Sequence, residues 1–442
     1  MTNGPTVSAA TRELLGVGHS RPITDGDDPR RGKKASYAVT PHSSSTRAVP
    51  SKGDSVLRFP KHGRARQLKA DKRARPPLGP SWFAAVMGTG IVANAAATLP
   101  RTFPGLRDAA TVVWSAAALL LVVLTVGYVR QRTLRVHAAD PVQAQFFGAP
   151  PIALLTVGAG ALLLGRRVIG ASAALDVGWV LWSLGTVLGL ATTCTVPYLM
   201  VTRHRFAPDA AFGGWLLPVV PPLVSAATGA LLIPQAPAGQ LRMAMLLGCY
   251  AMLGLGLVAA LLVLAMVYSR LVHHEAPTGA VVPTVWIGVG ALAQSVTALG
   301  ALATAAPGAL PAPYAQGAAV VALLGGLGVW GFAILWLALA TALTVREIRT
   351  GLPFAPTWWS FIFPLGACVN ATGALATRTG SQLFIWTAVV LYTVLVAAWA
   401  VVVWHSLRHA AGNTGGPEGP KDPEGPEEPA ADREAVSASQ AA

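Results

Sequence analysis

The chain has 442 residues, 53% of them hydrophobic and only 12% charged, with a formal net charge of +14. Soluble domains carry about twice that share of charged residues, and a mean hydropathy of +0.52 leaves too little wettable surface for an ordinary soluble enzyme. The composition predicts an all-α polytopic membrane protein, and its 13 Trp and 46 Gly suit membrane helices.

Taken in chain order, residues 1–79 hold sixteen Lys/Arg against six Asp/Glu and no apolar run able to build a core. They read as a disordered, basic, cytosolic tail beside an anionic leaflet. An apolar stretch of signal-peptide type is absent from it. No zinc, helix-turn-helix or stacking-aromatic pattern accompanies the charge, so nucleic acid is not an expected partner. Apolar runs of membrane-spanning length then follow near 81–99, 109–130, 149–165, 175–200, 214–233, 240–270, 282–305, 316–344, 357–377 and 382–406. Beyond them, 411–442 is Pro/Gly/Glu-rich and acidic, a second disordered tail. Three segments are therefore expected: the basic tail 1–79, a ten-helix domain 80–410 and the acidic tail 411–442.

Charge placement orients the ten spans. With the N-terminus inside, sixteen Lys/Arg fall on inner segments, among them Arg130, Arg203, Arg270, Arg346 and Arg408; six fall outside, Arg101, Arg107, Arg166, Arg167, Arg242 and Arg378. This asymmetry predicts ten spans with both termini in the cytosol. Proline divides the spans further. Pro150, Pro151, Pro218, Pro221, Pro222, Pro283 and Pro364 lie within or at the mouth of odd-numbered spans, whereas Pro197 is only at the end of the fourth. Proline kinks a helix and frees a carbonyl, which in a membrane must face protein or a wet cavity. The expectation is an inner ring of kinked odd helices and an outer ring of straight even ones: five hairpins around a central pore.

Carboxylates are absent from the middle of every span, which argues against a proton relay or an acid-lined cation path. No HExxH, GxSxG, P-loop or CxxC motif occurs, so no catalytic, metal or cofactor site is expected. Cys194, Cys249 and Cys368 read as packing residues. The polar groups left inside are neutral: Gly88, Thr89, Gly90 and Asn94 in span 1, Gln294, Ser295 and Thr297 in span 7, Asn370 and Thr372 in span 9. Such groups can solvate an anion weakly enough to release it. The alternative for each is helix–helix hydrogen bonding.

Pro80-Ser81-Trp82-Phe83 with Val86-Met87-Gly88-Thr89-Gly90-Ile91, the segment 283–298 containing Gly290-Ala291-Leu292-Ala293-Gln294, and Trp358-Trp359-Ser360-Phe361-Ile362-Phe363-Pro364-Leu365 together resemble the tellurite-resistance/dicarboxylate transporter family. That family includes fungal sulfite efflux pumps, malate permeases and plant slow anion channels. The seventh-span segment departs from the sulfite-pump pattern Gly-Pro-Leu-Gly-Gln in lacking its Pro and second Gly. The resemblance covers about residues 80–408. It implies ten helices in five hairpins around a pore, usually as a homotrimer, and a pore-plugging phenylalanine just before the ninth-helix proline, here Phe363. It implies transport of small anions, sulfite-like oxyanions or C4-dicarboxylates such as malate, across the cytoplasmic membrane. Gly88, Thr89, Gly90, Asn94, Pro150, Pro218, Pro222, Gln294, Ser295, Pro364 and Asn370 are the accompanying pore-lining or kink candidates. The competing reading is a membrane signalling or scaffold protein acting through the basic tail.

Overall fold

The computed structural model describes residues 78–412, within one compact unit. Nearly all of both predicted tails lies outside the described residues. Eleven α-helices follow one another: α1 (Phe83–Thr98), α2 (Leu106–Gln131), the short α3 (Leu134–Ala139), α4 (Ala149–Leu163), α5 (Ala171–Thr202), α6 (Pro221–Leu232), α7 (Gln240–His273), α8 (Ile287–Ala305), α9 (Ala312–Thr350), α10 (Ile362–Thr379) and α11 (Gln382–Gly412). No strand occurs among the described residues. Every apolar run seen in the sequence contains a helix, the one at 214–233 being broken by a turn at 217–220. Eight helical segments are long and apolar enough to cross a membrane by themselves. α1 and α6, with 16 and 12 residues, rise only about 24 and 18 Å and fall short of that length.

Burial separates two kinds of helix. The apolar windows of the segments containing α4, α8 and α10 are 72–83% buried, against 17–28% for α2, α5, α7, α9 and α11. α1 and α6 are buried along almost their whole length. The buried helices touch in a closed cycle: α1 on α4, α4 on α6, α6 on α8, α8 on α10, α10 back on α1. Each also packs on the long helix that follows it in the chain, α2, α5, α7, α9 or α11. The long helices turn Leu119, Val187, Leu262, Leu335 and Leu383 outward, the reverse of a soluble protein and the arrangement that a hydrocarbon solvent selects.

Each buried helix is entered through a 3₁₀ segment: Pro80–Trp82, Gln143–Gly148, Gly213–Leu216, Gly279–Trp286 and Pro356–Phe361. These five segments also touch one another in cyclic order. The prolines find their explanation here. Pro150, Pro151, Pro221 and Pro222 occupy the first turn of α4 and α6, where a missing N–H costs nothing. Pro283 lies within a 3₁₀ segment and Pro364 is the third residue of α10. These prolines therefore start the buried helices, in place of the helix-interior kinks expected of them. The one proline well inside an α-helix is Pro197, on the outer helix α5.

Tryptophan joins the two layers. Indole N–H groups of outer helices donate to buried partners: Trp114 to the Val157 carbonyl, Trp182 to that of Ser225, Trp336 to that of Val285, Trp330 to the Thr372 hydroxyl and Trp399 to the Thr89 hydroxyl, at 2.9–3.2 Å. Gly185 and Gly189 of α5 let that helix approach Leu155 and Pro221, so this small-residue pair packs within the chain. Cys249 and Cys368 are buried as expected, but Cys194 is exposed.

Candidate functional site

The five buried helices surround a cavity of about 250 Å³ to which all of them contribute. Its polar lining includes Asn94 and Thr98 of α1, Thr156 of α4, Thr228 of α6, Gln294 of α8 and Asn370 of α10. The hydroxyls of Thr156, Thr297, Thr304 and Thr377 donate to carbonyls one turn back in their own helices, the usual economy of a buried helical threonine. Asn94 Nδ2 donates to the Thr156 carbonyl at 2.9 Å, and Thr98 Oγ1 donates to Asn370 Oδ1 at 3.1 Å. Residues of α1, α4, α8 and α10, with Phe146, Leu217, Val220 and Ser360 from the stretches that lead into the buried helices, line a second cavity of about 20 Å³. Apart from Ser360 its lining is apolar, with Met87, Ile152, Val220 and Ile287 among the residues that face it. Phe363 borders both cavities, and its side chain is only 2% exposed. Phe363 therefore stands at the boundary of a chamber dotted with neutral polar groups and a small greasy one.

Phe363 holds this place because the 3₁₀ segment Pro356–Phe361 gives way to α10 just before it and Pro364 follows it. Gly290 of α8 allows the approach: a Cβ there would meet Pro364 at 3.2 Å. Farther along α10, Asn370, Ala374 and Arg378 fall on the same face as Phe363, at spacings of seven, eleven and fifteen residues that repeat the helical period. Arg378 donates to the Gly300 carbonyl at 2.6 Å and to Thr304 Oγ1 at 3.2 Å. No carboxylate lines the chamber.

The residues singled out from sequence divide accordingly. Phe363, Asn94, Gln294, Thr297 and Asn370 line the larger cavity; Phe363 and Pro364 line the smaller. The others turn elsewhere. Gly88 faces the Trp359 ring and Gly90 faces Thr156. Thr89 accepts the Trp399 indole, and Thr372 accepts that of Trp330. Ser295 is fully buried and donates to the Ala291 carbonyl. Pro150 and Pro222 begin helices, and the Pro218 carbonyl accepts the Thr193 hydroxyl. Arg378 was missed: charge counting put it in an outer connection, whereas it sits in the last turn of α10 facing the chamber. Thr98, Thr156 and Thr228 were missed as well. Helical spacing from Asn94 and Phe363 was the signal for Thr98 and Arg378.

Thr89 provides a test of this sorting. Thr89→Val should lower the thermal midpoint, because the Trp399 N–H loses its acceptor, at a cost of about 1–3 kcal/mol. Anion flux through the surviving folded protein should be unchanged. A flux change without a stability change would return Thr89 to the conduction path.

Residues 77–407 match the SLAC1 family of voltage-dependent anion channels. The chain belongs to that family. The sulfite efflux pump of Arthroderma otae is 28% identical over 339 residues, covering 73% of this chain and 88% of that protein. An uncharacterized transporter of Methanocaldococcus jannaschii is 27% identical over 331 residues, 73% of this chain and 91% of its own. The malic acid transport protein of Schizosaccharomyces pombe is 24% identical over 244 residues, 52% of this chain and 55% of its own. The protein is thus a multi-pass membrane protein of the SLAC1 family whose activity is anion transport across the membrane, not catalysis.

Proposed function

We propose that the chain carries small anions across the cytoplasmic membrane through a pore along the axis of its five buried helices, closed at Phe363. The observation that carries this reading is that Phe363 lines both cavities. An anion in the chamber finds neutral amides and hydroxyls around it and Arg378 on its wall. Beyond lies an apolar neck too small for a hydrated ion, and apolar constrictions block conduction by excluding water. The same reading takes ten helices across the bilayer as five hairpins, each a buried helix paired with the long one that follows. The cyclic packing of the buried helices supports it. α1 and α6 then cross within protein, where their short length is harmless.

Both termini are cytosolic in this arrangement, which the Lys/Arg asymmetry favours. The segments 1–79 and 411–442 are cytosolic tails, and the assembly is a homotrimer by family resemblance. The transported class is a sulfite-like oxyanion or a C4-dicarboxylate, which the sulfite and malic acid relatives both support.

Flux of sulfite, nitrate, chloride and malate into proteoliposomes held at a set potential tests the proposal. Saturable or potential-driven entry of at least one anion, absent from protein-free vesicles, is expected. No flux of any anion at either polarity would sink the pore reading.

A further inference from the structure

The buried helices are entered through mutually contacting 3₁₀ segments, and Gly290, the fourth residue of α8, meets Pro364, the third of α10. Gly300, the fourteenth residue of α8, likewise meets Ala374, the thirteenth of α10, so these two helices run level to within one residue. Thr156, Thr228 and Gln294 are each the eighth residue of α4, α6 and α8. These three helices are consecutive in the cycle. Phe363 is the second residue of α10, so Gln294 stands about five residues, about 8 Å, farther along the axis, and Thr156 and Thr228 complete an arc on the chamber wall.

Two members of the arc are unused by the fold. Thr156 donates to the Ile152 carbonyl, but among the described residues neither the Gln294 side-chain NH2 nor the Thr228 hydroxyl has a hydrogen-bond partner, and the Gln294 Oε1 acceptor is enclosed without one. Gln294 is 4% exposed and Thr228 3%, and both line the chamber. Thr156, Thr297, Thr304 and Thr377 satisfy their hydroxyls within their own helices; Thr228 does not. Buried polar groups without partners cost free energy and mark a place where something else completes them.

We propose that Gln294 and Thr228 form an oxyanion-binding station in the chamber that Phe363 borders, where the ion exchanges water for protein donors before it enters the apolar neck. An amide offers two N–H donors and a hydroxyl one O–H. Presented from two helices, they engage separate oxygens of an ion that carries several. Neither donor is charged, so the ion is held and released rather than trapped. The absence of carboxylates from the chamber and the presence of Arg378 on its wall set the sign of the ligand. The station rests on the transport reading for its place in a pathway, but not for its ability to bind.

Sulfite is the probe. Titration calorimetry on detergent-purified protein should show sulfite binding weakened about tenfold or more in Gln294→Leu and in Thr228→Val, the worth of a hydrogen bond to a charged group. Thr228→Ser, which restores the hydroxyl, should bind as wild type. In proteoliposomes the sulfite-to-chloride flux ratio should fall by a similar factor in the first two variants. Thr228→Val keeps the side-chain shape, so melting curves will separate loss of binding from loss of fold. Wild-type affinity in folded Thr228→Val and Gln294→Leu, or no sulfite binding by wild type, would overturn the station. Binding lost in the variants while wild type binds but transports nothing would support the station and count against the pore.

Discussion

Replacing Phe363 with alanine is expected to raise anion flux through reconstituted protein by about tenfold or more, since each ~1.4 kcal/mol removed from a barrier is tenfold in rate. Among the described residues Phe363 is the one that lines both the chamber and the apolar neck. Removing it joins the two spaces and lets water follow the ion. The usual objection to such a variant is loss of fold, since deleting a core phenylalanine costs about 3–5 kcal/mol. That figure describes a ring packed on every side. Phe363 borders two cavities, so fewer contacts are lost, and the melting point should fall less than that range implies. Higher flux with a modest loss of stability is the expected pair of results. Unchanged flux in a folded variant would make Phe363 a packing residue and remove the gate.

The second large effect is structural. Gly148→Ala and Gly213→Ala should each abolish or severely lower the yield of monodisperse protein. A Cβ on Gly148 would stand 1.9 Å from the Leu217 carbonyl oxygen, and one on Gly213 would stand 1.9 Å from that of Thr284. In both cases the obstacle is backbone of the neighbouring 3₁₀ stretch, which no rotamer change can move. Overpacking in ordinary cores costs about 1–3 kcal/mol because side chains can yield; here the cost belongs at or above the top of that range. Gly254→Ala is the contrast. Its Cβ would meet nothing within 4 Å, and alanine in a helix interior is favoured over glycine by about 1 kcal/mol, so its thermal midpoint should hold or rise. Wild-type behaviour of Gly148→Ala and Gly213→Ala would mean that the five entry segments are not locked together.

Much of the chamber's chemistry was legible as residue type, and much less as direction. Asn94, Gln294, Asn370 and Phe363 were recognisable as polar or aromatic exceptions in apolar helices, and all four line the chamber. Adjacent residues were not separable. Gln294 and Ser295 stand about 100° apart on α8, and nothing in their own run says which faces the axis. Thr89 and Asn94 of α1 face α11 and the chamber respectively. The buried helices are apolar on every side because they touch neighbours all round, so no amphipathic stripe marks the inner face.

Arg378 shows the same limit in charge. Its sequence neighbours place it beyond the end of a span, and only the packing of α10 on α8 turns the guanidinium toward the Gly300 carbonyl and the chamber.

The amino-acid sequence by itself determined that the protein is helical and built for a membrane, where its apolar runs begin and end, and that its interior carries no carboxylate. Those properties follow from composition and hydropathy, which act residue by residue along the chain. Only the tertiary structure decided which helices are buried, that the prolines start helices at a shared ring of 3₁₀ segments, and that Phe363, Gln294, Thr228 and Arg378 meet one cavity. Phe363 and Arg378 share α10, while Thr228, Gln294 and Phe363 come from three helices and lie 66 and 69 residues apart in sequence. Their meeting depends on close packing between helices, where a single Cβ at Gly148 or Gly213 would be too much, and hydropathy carries no record of such contacts.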